Sequence, residues 1–124
     1  MTKLSIPTNA VELAELLVKL FPPFAESWTQ ALADHKQQSS FIGYDTGVTF
    51  HQVLQVFAPV SSKLLQGSSS EQIESFCQFI NQSVSESGPL ENAISTCLLE
   101  HATQLGIHKT LQPQLSQGAK NWLR

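Results

Sequence analysis

QQSSFIGYDTGVTFHQ spans residues 37–52 and separates an all-α fold from a mixed one. Within it, SFIGY at 40–44 is the only segment that resembles a strand. A lone strand leaves its backbone donors and acceptors without a partner, and nothing else in the chain alternates with period two. The stretch therefore reads as a loop joining two helices, and the chain as all-α. Loops run over surfaces and are usually polar, yet this one holds Phe41, Ile42 and Tyr44 beside Asp45. Phe41 and Ile42 are expected to turn inward and close the gap between the flanking helices, each burial contributing about 1.5–3 kcal/mol. Tyr44 and Asp45, between Gly43 and Gly47, are expected to point outward.

Working outward, helical periodicity continues in both directions. On the N-terminal side, Phe24, Trp28, Ala31 and Leu32 form the stripe of a helix over about residues 23–36. The prolines of FPPF end the helix before it and open this one, because a proline at the first helical position loses no bond. That earlier helix covers about residues 9–20. Asn9 is its N-cap, Glu12 stands where a carboxylate favours the helix dipole, and Leu13, Leu16, Leu17 and Leu20 form its stripe.

On the C-terminal side, Thr49 caps a helix over about residues 50–66 whose buried face is Phe50, Val53, Leu54 and Phe57. Pro59 falls inside this pattern and should kink or split it. Gly67 ends it, and Ser68 with Glu71 has the spacing of a capping box. Ile73, Phe76, Cys77, Ile80 and Val84 then mark a helix over about 69–86. Gly88 and Pro89 open another over about 89–105, with Leu90, Ile94, Cys97, Leu98, His101 and Leu105 on its stripe and Gly106 at its stop. The short link makes these two an antiparallel αα-hairpin. A turn near His108–Leu111 leads to a last helix from Pro113, with Leu115, Ala119 and Trp122 facing inward. The expected fold is one domain over residues 1–124, a compact all-α bundle of five to six helices.

Composition narrows function by exclusion. The chain has 124 residues, a size that buries a core without metals or cross-links. Charged residues make up 14%, against about 25% in an average domain, and the difference is taken by Gln, Ser, Thr and Asn. The net charge is −3 and the only arginine is Arg124, which argues against nucleic acid as a partner. No apolar run is long enough to span a bilayer, so no membrane role is expected. The N-terminal segment reads as an amphipathic helix rather than a signal peptide, and the cytoplasm is the expected location. Two cysteines make no disulfide framework.

Reactive side chains form no recognisable constellation. His35, His51, His101 and His108 have no i, i+4 spacing and no HExxH setting, so a pairing of His35 with His51 across the loop has no support from spacing. Cys77 and Cys97 fall on apolar stripes of neighbouring helices and are expected to be reduced core thiols. Glu12 with Glu15, and Glu71 with Glu74, lie in first turns where the helix dipole accounts for them. Phosphate loops, nucleophile elbows and kinase motifs are absent from the sequence. The expectation is a protein that is not an enzyme and that uses no metal and no cofactor.

One charge feature remains. No Lys or Arg occurs between Lys63 and Lys109, whereas Glu71, Glu74, Glu86, Glu91 and Glu100 do. Fields of one sign steer and select oppositely charged partners. The segments TFHQVLQVFAP (49–59), EQIESFCQFINQSVSES (71–87) and ENAISTCLLEHATQLG (91–106), with GAKNWL near the end, resemble a group of small, uncharacterised helical bacterial proteins. Those proteins look like the single-domain immunity proteins encoded beside toxins. The resemblance covers about two thirds of the chain and rests mostly on apolar positions. It implies an occluding, non-catalytic inhibitor whose protein partner is a toxin, and the acidic face would suit a basic toxin domain. The contact residues expected on this reading are Phe41, Tyr44, Asp45, Glu71, Glu74 and Glu86. The alternative is a structural or regulatory adaptor that binds a cellular protein or its own copy, and the sequence leaves the oligomeric state open.

Overall fold

A computed structural model describes residues 6–42, 49–86 and 88–124, with the side chains of 34–42 left aside. Helix α1 (Ala10–Leu20) starts as its sequence dictates. Asn9 is in extended backbone, and its Oδ1 accepts from the Glu12 N–H at 2.9 Å. The Glu12 carboxylate reaches back to the N–H of Thr8 at 2.8 Å and its hydroxyl at 2.9 Å, and these donors hold it below its usual value of 4.5. At the other end, the Phe21 N–H donates to Leu17 O and the Phe24 N–H to Phe21 O, each at 2.8 Å. Pro22 and Pro23 are exposed at this corner, while Phe21 and Phe24 are both buried.

Helix α2 (Phe24–Ile42) corrects the reading of the opening stretch. It runs on past Lys36, so residues 37–42 are helix rather than loop. The physical reason is visible in the sequence: no Gly or Pro interrupts residues 24–42, and the first breaker is Gly43. The inward turn expected of Phe41 and Ile42 concerns side chains outside the described set. Tyr44 and Asp45 also lie outside the described residues.

Helix α3 (Phe50–Gln66) has a full capping box. The Gln52 N–H donates to Thr49 Oγ1 at 3.2 Å, and the Thr49 N–H donates to Gln52 Oε1 at 2.8 Å. Pro59 does not split it. The lost ladder bond would have gone to Gln55, and both residues are exposed, so water can satisfy that carbonyl.

Helix α4 (Ser70–Val84) begins one residue later than the Ser68–Glu71 spacing suggested. Its capping box is Ser69 with Gln72. Ser68 is taken up by the end of α3, where its hydroxyl donates to Leu64 O at 2.7 Å. Gln72 also donates from Nε2 to Leu20 O at 2.7 Å, so one side chain caps α4 and ties it to the end of α1.

Helix α5 (Pro89–Cys97) completes the αα-hairpin with α4, but does not reach residue 105. The chain tightens into a 3₁₀ turn at Leu99–His101 and resumes as α6 (Ala102–Leu105). The change of winding keeps Leu98, Leu99 and Ala102 buried and leaves His101 exposed, off the stripe assigned to it. Gly106 stops α6 in the left-handed region with φ 78°.

The tail is α7 (His108–Leu111), a 3₁₀ turn at Gln112–Gln114 that contains Pro113, and α8 (Gln117–Lys120), capped by Ser116. The last helix therefore starts after Ser116, not at Pro113. Asn81 of α4 holds this tail like a paired strand. Its Nδ2 donates to Gln114 O at 3.0 Å and its Oδ1 accepts from the Ser116 N–H at 2.7 Å. The Arg124 N–H donates to Leu99 O at 3.0 Å, and the Thr103 N–H to Arg124 O at 2.7 Å. These main-chain bonds set the direction of residues 122–124. Leu115 and Ala119 are buried as expected, but Leu123 packs against the core in place of Trp122, which is 38% exposed.

The centre of the core is aromatic. Phe57 lies 5.7 Å from Phe21, 5.4 Å from Phe24 and 5.5 Å from Phe76, ring centre to ring centre. Phe21 and Phe76 meet edge to face at 5.2 Å. Among the described residues the buried polar ones are Ser61, Ser83 and Ser95, and each hydroxyl donates to a carbonyl of its own helix. Among the described residues no buried side-chain polar atom lacks a partner.

Two measurements check this architecture. Phe57→Ala should lower unfolding free energy by about 3–5 kcal/mol in chemical denaturation. Asn81→Ala should cost about 1–3 kcal/mol through two lost backbone partners, and limited proteolysis should then cut first within residues 112–124.

Candidate functional site

The acidic residues expected to meet a partner are exposed but not gathered. Glu71 lies in the first turn of α4, and Glu74 is one turn further on the same face. Glu86 lies just past the other end of that 15-residue helix, roughly 20 Å away at 1.5 Å per residue. Glu91 follows in the first turn of α5, which places it nearer Glu86 than the Glu71–Glu74 pair. The hairpin therefore has an acidic group at each end of α4 rather than a single patch. None of Glu71, Glu74 and Glu86 forms an ion pair with another described residue.

The structure also makes a pairing that the sequence did not suggest. His51 Nδ1 lies 3.2 Å from Cys97 Sγ. The two residues are 46 apart in sequence and meet because α3 packs along α5. Both side chains are partly exposed. Thr96 Oγ1 approaches the same sulfur at 3.9 Å, while donating to Asn92 O at 2.7 Å. His51 is in the first turn of α3, where N–H groups without an intrahelical acceptor favour nearby negative charge. Whether His51 also meets His35, a pairing that spacing does not support, concerns a side chain outside the described set.

The two cysteines consequently differ. Cys77 is 1% exposed, its thiol is directed at Leu111 O at 3.8 Å, and burial pushes it up to about 11. It is the core thiol expected from its stripe. Cys97 is at the last residue of α5 beside an imidazole, and is not a fully buried thiol. A sequence signal existed only in part. Cys97 is on a stripe and His51 adjoins one, but their meeting depends on which helices pack together.

The remaining features are weaker. His101 Nδ1 lies 3.1 Å from Gln104 Oε1 at the surface, and His108 is half-buried at the start of α7. A shallow cleft of about 200 Å³ is lined by Phe21, Pro23, Leu64 and Gln72, with Lys63 beside them. Among the described residues no group of three His, Cys, Asp or Glu side chains could hold a metal ion, and no helix is long and apolar enough to cross a membrane.

No family model, curated protein or solved structure matches this chain. The resemblance to immunity proteins thus stands on the quoted segments alone.

Cys77 generates a measurable pH dependence. Its folded-state value is raised above the ordinary 9.0, so the folded protein keeps a proton that the unfolded chain releases. That contribution is present below pH 9 and is lost as pH rises toward 11. Urea denaturation across this range should show wild type losing more stability than Cys77→Ala does.

Proposed function

We propose that this is a non-catalytic protein-binding domain of the immunity type, which acts by covering a basic toxin partner. The observation that supports the reading is the exposed, unpaired set of Glu71, Glu74 and Glu86 along a hairpin that contains no Lys or Arg between positions 63 and 109. An occluding inhibitor needs a firm scaffold and a complementary surface, not a reactive group. The aromatic core and the tied-down tail supply the firmness. The carboxylates supply a field that speeds encounter with a cationic surface and selects against acidic ones. Phe41, in the last turn of α2, and Tyr44 with Asp45, which follow in the sequence, belong to the same reading as contact residues, the two aromatics as anchors.

Two carboxylates at one end of α4 and one at the other favour a partner that lies along the helix rather than one that inserts into a pocket. A second reading, an adaptor that binds its own copy, is favoured by the exposure of Trp122 and of Val11, which is 61% exposed. Sedimentation distinguishes them, since the inhibitor reading requires no self-association.

The inhibitor reading is tested by capture from the protein's own cells. Immobilised wild type should retain a basic protein, and added salt should weaken that retention. A Glu71→Lys, Glu74→Lys, Glu86→Lys variant should lose that protein while keeping its helical circular dichroism. Equal retention by wild type and variant would overturn the reading.

A further inference from the structure

We propose that Cys97 is a covalent modification site, whose thiol undergoes exchange with small-molecule disulfides while His51 acts as its base. Three observations converge on this pair. The sulfur is partly exposed, so a reagent can reach it. An imidazole nitrogen stands at 3.2 Å, within reach of the thiol proton. The hydroxyl of Thr96 faces the same sulfur at 3.9 Å, so the thiol sits among polar groups rather than in the apolar core.

The accepting role requires the neutral ring with its proton on Nε2, leaving Nδ1 free to face sulfur. Cys77 provides an internal contrast, since it is buried, is directed at a carbonyl and meets no base among the described residues.

The exchange balances without any further reagent. As the Cys97 sulfur forms a bond to one sulfur of the incoming disulfide, its proton passes to His51 Nδ1. The incoming S–S bond breaks, and the departing thiolate takes that proton from the imidazolium. Cys97 sulfur is oxidised to a mixed disulfide, and the departing sulfur is reduced to a free thiol. Buried Cys77 is not poised to resolve the mixed disulfide, so the modification persists until an external thiol reverses it. The event is therefore stoichiometric, and it stands independently of the partner reading above.

The experiment incubates the folded full-length chain with glutathione disulfide near neutral pH, quenches by alkylation, and quantifies each cysteine by peptide mass. Cys97 should form the mixed disulfide roughly ten times faster than in the urea-unfolded chain, where His51 is no longer in contact, with Cys77 unreacted in the folded protein. His51→Asn, checked for native circular dichroism, should remove most of that advantage. His51→Ala should regain part of it when free imidazole is added, which a merely structural histidine would not allow. A Cys97 rate no faster folded than unfolded would overturn the proposal without recourse to any variant. So would a rate unchanged by His51→Asn.

Discussion

The contact on which the rest of the structure depends is the meeting of Phe21, Phe57 and Phe76, all fully or almost fully buried and mutually within 5.2–5.7 Å. The three rings come from the corner after α1, the middle of α3 and the middle of α4. Each aromatic ring buries on the order of 150–250 Å², the largest contribution a single side chain makes to a small core. Phe24, Trp28 and Phe79 extend the cluster at its edges. The two prolines at the α1–α2 corner matter for the same reason. They turn the chain within two exposed residues, so the phenylalanines on either side enter one cluster.

Polar side chains then fix how the helices sit around that centre. Gln72 closes its own helix cap and also bonds the last carbonyl of α1. Asn81 pairs with two backbone groups of the tail. Both use the geometry of an amide, which presents a donor and an acceptor side by side. A chain poor in charge and rich in Gln and Asn can position elements this way without burying ions, which would be costly to desolvate. The three buried serines follow the same economy, since each satisfies its hydroxyl on its own helix.

The functional candidates occupy different parts of this frame. The acidic groups sit on the outer face of the hairpin, away from the aromatic centre. The His51–Cys97 pair sits on the seam between α3 and α5, where α5 gives way to the 3₁₀ turn. A group attached at Cys97 would stand at that seam, beside the turn whose Leu99 carbonyl holds the end of the chain.

The sequence by itself determined the helical class, the hairpin, the caps at Asn9 and Thr49, the stop at Gly106 and most of the apolar stripes. These are local properties, set by a period of 3.6 residues and by side chains that bond within three or four positions. Where local rules compete, the sequence is ambiguous. Residues 37–42 read as loop from their setting, although nothing in them breaks a helix before Gly43. Ser68 and Glu71 fitted a capping box as well as Ser69 and Gln72 do, and only the demand of α3 for Ser68 decides between them. Tertiary structure alone decided the outward face of Trp122, through the bonds that the Arg124 N–H donates to Leu99 O and that Arg124 O accepts from the Thr103 N–H, and the meeting of His51 with Cys97. Those contacts join residues far apart in the chain, and periodicity carries no information about which helix faces which.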